Sequence, residues 1–160
     1  MGRYFRRADG QTNWYFVPAI SNPAAPTAAE INAGINLSKN ISDISGFKFE
    51  NKPIETPDLS TAFVSTVDGE DSAADCALKL YDDTASQTIR TALAKGTNGF
   101  MVISPYAKTA SSKCRVWPVR STGDNDEYEM DAKQAARYEV MFAVPDRPTL
   151  GAVFPSGVTI

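Results

Sequence analysis

Several stretches of the chain alternate apolar and polar residues with the two-residue period of a half-buried strand. The clearest is residues 136–144. Tyr138, Val140, Phe142 and Val144 fall on one face there, and Arg137, Glu139 and Met141 on the other. Residues 75–82 repeat the pattern, with Cys76, Leu78 and Leu80 facing in and Lys79 and Tyr81 facing out. Residues 12–20 place Trp14 and Phe16 together, and Pro18 marks an edge or a strand end. Residues 44–50 set Phe47 and Phe49 against Lys48 and Glu50. Residues 113–121 read as another strand. Gly99–Ser104 is apolar on both faces, which predicts a central strand.

Two segments carry helical signals instead. Pro26-Thr-Ala-Ala-Glu-Ile-Asn-Ala-Gly34 reads as a complete short helix. Thr27 and Glu30 have the spacing of a capping box, and Gly34 supplies a left-handed stop. About two turns are not stable alone, so Ile31, Ile35 and Leu37 need a surface to cover them. The residue 21–43 excursion is therefore expected to pack on a neighbouring subunit as well as on its own domain. The second helix opens at Thr84-Ala-Ser-Gln87, again with a capping box. Ala85, Ile89, Ala92 and Leu93 form its apolar stripe. Lys95 sits in its last turn and Gly96 ends it, after about three turns.

Residues 51–74 are mostly polar, carry Pro53, Pro57 and Gly69, and are too long for an ordinary hairpin connection. Thr61–Val67 inside them has strand character, so the segment reads as an extended hairpin or arm. Gly123–Glu127 reads as a polar loop and residues 146–160 as a Pro-rich C-terminal arm. The sum is about seven strands, one full helix and one short helix in a single domain over residues 1–160. That pattern is mainly β: a β-sandwich or barrel with one flanking α-helix, an extended N-terminal arm over residues 1–11 and a long loop. The expected core is Phe47, Phe49, Leu78, Leu80, Ile89, Leu93, Val102, Val140 and Phe142.

Composition narrows the function. The chain contains no histidine, which removes Ser-His-Asp and Cys-His catalysis and His-rich zinc sites. Cys76 and Cys114 form no CxxC and read as reduced, apolar strand residues. The formal charge is −3, which argues against gripping nucleic acid. No run of 18 apolar residues is present, so no transmembrane helix is expected. The basic start lacks a signal-peptide apolar segment, and Arg6 stands where myristoylation needs Ser or Thr. The reading is a protein of the cytoplasm or one assembled there, with no membrane contact.

Each candidate for chemistry has a plainer reading. Asp124-Asn-Asp-Glu127, with Glu129 and Asp131, offers calcium ligands but lacks the glycine of an EF-hand loop; a solvated loop explains it. Asp68-Gly-Glu-Asp71 is a turn signal. Asp82-Asp83 before a helix is explained by capping and the helix dipole. Lys95-Gly-Thr-Asn-Gly99 has its glycines after a helix and before a strand, the reverse of a phosphate loop. Arg3, Tyr4, Arg6 and Arg7 form a basic, aromatic arm that suits an acidic protein surface, a free tail or nucleic acid. No catalytic residue, metal ligand or cofactor is assigned. The candidate functional residues are contacts between subunits: Arg3, Tyr4, Arg6, Arg7, Ile31, Ile35, Leu37, Phe63, Val64 and Val67.

An ordered set of segments resembles the major tail tube proteins of long-tailed bacteriophages. They are Val17-Pro-Ala-Ile-Ser-Asn22, Ala25-Pro-Thr-Ala-Ala-Glu-Ile-Asn-Ala-Gly34, Ile44-Ser-Gly-Phe47 and Thr56-Pro-Asp-Leu-Ser60, followed by Leu78-Lys-Leu-Tyr-Asp82, the helix ending at Leu93, Gly96–Ile103, Trp117-Pro-Val-Arg120 and Tyr138-Glu-Val-Met-Phe142. The resemblance implies a subunit that forms hexameric rings, stacked into a virion tail tube through which DNA passes without specific binding. It also implies tape measure, tail terminator and distal tail proteins as partners, with assembly in the host cytoplasm. Two other readings stand beside it: the inner tube of a contractile injection or type VI-like secretion system, and a monomeric β-sandwich binding module.

Overall fold

The computed structural model describes residues 12–128, 130–131 and 133–160. The described elements run β1 (Asn13–Val17), α1 (Ala28–Asn32), β2 (Ile35–Asn36), β3 (Ile41–Ser45), β4 (Phe49–Thr56), β5 (Ser65–Ala73), β6 (Cys76–Tyr81), α2 (Ser86–Ala92), β7 (Asn98–Lys108), β8 (Lys113–Glu127), β9 (Arg137–Ala143) and β10 (Thr149–Val153). Eight strands make one antiparallel sheet in the order β2-β1-β7-β8-β9-β6-β3, with β10 also on β8; β4 and β5 pair only with each other. The chain is mainly β, as its alternation predicts.

β8 is the pivot of the sheet. Its first half pairs with β7 and its second half with β9, and the two ladders overlap at Arg120. The register with β9 shifts between Ser121 and Gly123, and Gly123 takes φ 135°. An irregularity of this kind bends a strand. One continuous sheet can then fold over and pack its two halves face to face. Trp14, Phe16, Met101, Trp117 and Val119 come from the front half (β1, β7 and the start of β8). They meet Cys76, Leu78, Leu80, Tyr138, Val140 and Phe142 from the back half in one core. Ile89 and Leu93 of α2 join that core, and the buried Ser121 hydroxyl donates to the Leu93 carbonyl at 2.7 Å.

A second core lies on the opposite face of the front half. Tyr15, Val17, Val102, Cys114 and Val116 are covered there by Ile31 of α1 and by Ala152 and Phe154 near the C-terminus. β1 is thus buried on both faces. Alternation pointed only to its Trp14 side, because both sides of the strand are aromatic or branched. β7 is the central strand expected of a stretch apolar on both faces, lying between β1 and β8.

α1 keeps its capping box: Thr27 Oγ1 accepts from the Glu30 amide at 3.3 Å, and Glu30 accepts from the Thr27 and Ser21 amides at 2.8 Å each. Those amides, Thr27 first, hold the Glu30 carboxyl down to about 2. Gly34 serves a different purpose from the left-handed stop expected of it. A Cβ there would lie 2.2 Å from the Phe16 carbonyl, so the residue is glycine to let the chain pass β1.

α2 spans Ser86–Ala92 with Ala85 at its N-cap and no side-chain cap; the Thr84 box does not form. Asp83 and Ser86 take over, with the Asp83 amide donating to Ser86 Oγ at 2.8 Å and Asp83 Oδ1 accepting from the Ala85 amide at 2.8 Å. Residues 44–50 are not one strand, because Gly46 (φ 77°) and Phe47 (φ 55°) turn the chain between β3 and β4. Gly123–Glu127 is the end of β8 and not a loop. Residues 146–160 contain β10, paired to β8, and the buried Phe154. Of the expected core, Phe47 and Phe49 are only partly buried; the others are buried.

Candidate assembly interface

The β4–β5 hairpin projects as an arm. Strands of eight and nine residues, at roughly 3.3 Å per residue, give a reach of about 25–30 Å. Most of its residues are exposed on both faces. Its pairing slips between Lys52 and Ile54. Asn51 pins the irregularity by donating to the Gly69 carbonyl at 3.2 Å and to the Asp71 carboxylate at 2.6 Å. A Cβ on Gly69 would fall 1.8 Å from the Lys52 carbonyl oxygen, so Asp68-Gly69 marks a close strand approach and not the turn it suggested.

The base of the arm is anchored by Phe47. Its ring lies 5.1 Å from Trp14 and 5.7 Å from Trp117, both edge-on, and 6.3 Å from Phe142. A left-handed φ costs a non-glycine residue roughly 1–2 kcal/mol, and three aromatic contacts offset it. Arg147 adds a second tie, pairing with Asp71 at 3.4 Å and lying 5.2 Å from the Phe49 ring. A cleft of about 380 Å³ opens beside this base, between Phe49, Ala73, Val144 and Pro148.

The expected contact residues divide. Phe63 (74 % exposed), Val64 and Val67 lie at or near the tip of the arm with their apolar side chains in solvent, joined by Leu59 and Ile54. Leu59 and Ile54 were missed because polar neighbours break any apolar period around them. Ile31 and Leu37 are corrected: both are fully buried in their own subunit's cores, because the short excursion folds back across β1. Ile35 is half-buried and borders an open cleft of about 520 Å³ with Gln87, Thr88, Thr91 and Ala92. Arg3, Tyr4, Arg6 and Arg7 lie outside the described residues.

Several of the candidates for chemistry have structural partners among the described residues, and Glu129 lies outside the described residues. Arg90 of α2 pairs with Asp124 at 3.0 Å, Asp82 at 3.5 Å and, closest, Asp126. Its guanidinium sits 4.1 Å above the buried Tyr138 ring. The Arg90 hydrogen bond holds the Asp126 carboxyl below its usual range. Lys79 and Arg137 bracket Glu127 at 2.7 and 3.5 Å. Asp83 accepts from Asn40 at 3.0 Å. Gly96 (φ 89°) turns the chain between α2 and β7. Cys76 and Cys114 are free and buried, and desolvation pushes the Cys114 thiol up to about 11. Among the described residues no group of three or more His, Cys, Asp or Glu could hold a metal ion. No described helix is long and apolar enough to cross a membrane.

A bent β-sandwich that carries a projecting hairpin with an exposed apolar tip has the form of an assembly subunit. The chain belongs to the phage tail tube protein family, whose model matches residues 1–157; it is a structural subunit of a tail tube and a component of the virion tail. Solved structures share its fold at low identity. A chain from the tail of an empty GTA particle, refined with C6 symmetry, is 12% identical at TM-score 0.51, covering 71% of this chain and 83% of that one. A chain of the six-fold symmetrised baseplate of the anti-feeding prophage is 10% identical at TM-score 0.55, covering 99% and 100%. A chain of the PVC sheath–tube complex, an extracellular contractile injection system in its extended state, is 13% identical at TM-score 0.50, covering 91% and 90%. No curated protein matches.

Proposed function

We propose that copies of this chain close into six-membered rings, and that the rings stack into a conduit for DNA. The observation that carries this reading is the β4–β5 arm. It is a long hairpin with an apolar tip, and its own subunit leaves that tip in solvent. Such an arm gains stability only when a neighbour covers it. In this reading residues 51–74 make the main contact between stacked rings, and the residue 21–43 excursion reaches a neighbour through the border around Ile35. The six-fold symmetry of the GTA tail and of the anti-feeding prophage baseplate supports the ring size.

The net charge of −3 suits a tube that DNA slides past, since like charge opposes sticking. Tape measure, tail terminator and distal tail proteins would meet the tube inside and at its ends, with assembly in the host cytoplasm. The role is architectural, without catalysis. A contractile injection tube is the second reading, supported by the shared fold of the PVC tube complex; a sheath gene beside this one in the genome would favour it. Light scattering on the purified protein tests the proposal. Rings or long polymers are expected, and a particle that stays near 17.3 kDa at high concentration contradicts it.

A further inference from the structure

Charge is segregated along this chain. Residues 49–73, the arm, hold six carboxylates (Glu50, Glu55, Asp58, Asp68, Glu70 and Asp71) against one cation, Lys52. Residues 84–123 hold six cations and no carboxylate side chain. The fold turns this into two surfaces. β1, β2, β7, β10 and the part of β8 that pairs with β7 contain no acidic residue. The end of that front half, where β7 turns into β8, carries Lys108, Lys113 and Arg115. Lys113 and Arg115 are exposed and have no acidic partner among the described residues. Lys108 is held by the backbone oxygen of Ile160. Within one subunit the arm answers almost none of this charge, since Asp71 is its one described carboxylate in an ion pair, with Arg147.

We propose that the acidic arm of one copy docks on the Lys113–Arg115 end of the β7–β8 hairpin of another copy. The inference rests on the stacked-ring reading and gives it a donor and an acceptor. A contact between two different patches is heterologous, the kind that propagates into rings or open polymers and does not stop at a dimer. Charge complementarity would set its register and direction, while the apolar tip around Phe63 supplies burial. The cations of the acceptor end and the carboxylates of the arm also keep copies from pairing arm to arm.

Zero-length carbodiimide coupling of the unmutated protein, read by mass spectrometry, tests this directly. Lys113 should be joined to a carboxylate of residues 50–71 in the polymer and not in dilute monomer. In parallel, K113E/R115E should raise the concentration needed for assembly by about tenfold or more, with an unchanged melting temperature. Adding D68K/E70K to K113E/R115E should restore assembly. Tubes that form equally well from K113E/R115E, without Lys113–arm coupling in the wild type, overturn the docking and leave the stacked-ring reading standing. A wild-type protein that never polymerises overturns both.

Discussion

The sandwich and the arm are built from the same strand pairing, yet they use their side chains in opposite ways. In the sandwich every alternate residue of β6 and β9 is buried, and Leu78, Leu80, Tyr138 and Val140 are fully covered. In the arm the ladder from Phe49 to Thr56 is as regular apart from one slip, but its apolar residues, Ile54, Phe63, Val64 and Val67, face water. A two-stranded ribbon is at best marginally stable alone. The sandwich therefore holds the subunit's stability, and the arm leaves its apolar side chains uncovered. Mutations should separate the two: core changes should alter folding, and arm changes should alter assembly.

The largest effects on folding are expected in the first core. Trp117→Ala and Leu80→Ala should each cost about 2–5 kcal/mol, read as a drop in the urea midpoint. An unchanged midpoint for Leu80→Ala would show that the β6 face is not the packed one. Phe47→Ala comes next. It removes three ring contacts of a partly buried side chain, while alanine keeps the Cβ and with it the left-handed strain, so roughly 2–3 kcal/mol is expected. It is the one change that should affect both regions, loosening the arm base as well; hydrogen exchange in β4 should rise more than in β9.

Acid should weaken the sandwich through its ion pairs. The hydrogen bonds from Arg90 to Asp126 and from Lys79 to Glu127, and the Thr27 amide at Glu30, hold these carboxyls below their usual values. A group with a depressed folded-state value contributes stability above its unfolded value and loses it as pH falls through the folded one. The melting temperature should be nearly flat from about pH 7 to pH 5 and fall between about pH 4.5 and pH 2. Arg90→Gln should shrink that fall, and an identical acid profile in the variant would contradict the assignment. Thr27→Ala should cost about 1 kcal/mol through the lost cap. Phe63→Ser should change the melting point least, within about 0.5 kcal/mol, yet hinder polymerisation; a strongly destabilised Phe63→Ser subunit would mean the tip is packed on its own domain.

Much of this division was legible in the sequence. The alternation at Cys76–Leu80 and Tyr138–Phe142 and the capping box at Thr27 depend on neighbours close in sequence, and each formed as read. The length and polarity of residues 51–74 announced a hairpin, although its second strand starts at Ser65 and not Thr61. What stayed hidden depends on distant partners. Asp124–Glu127 looks like a loop because four polar residues have no apolar face, and only Arg90, Lys79 and β9 make it a strand. Ile31 and Leu37 looked available for a neighbour because the sequence does not say that α1 and the following residues fold back over β1. The acceptor end at Lys113 and Arg115 is spread over a strand that reads as ordinary, and it stands out only beside the acidic arm.

The division of labour is tested most directly by electron microscopy of the wild type beside a variant in which residues 50–72 are replaced by a short Gly-Ser turn. The account predicts stacked-ring tubes for the wild type, and for the variant a folded, cooperatively melting subunit that makes none. Tubes of normal length from the armless protein would contradict it.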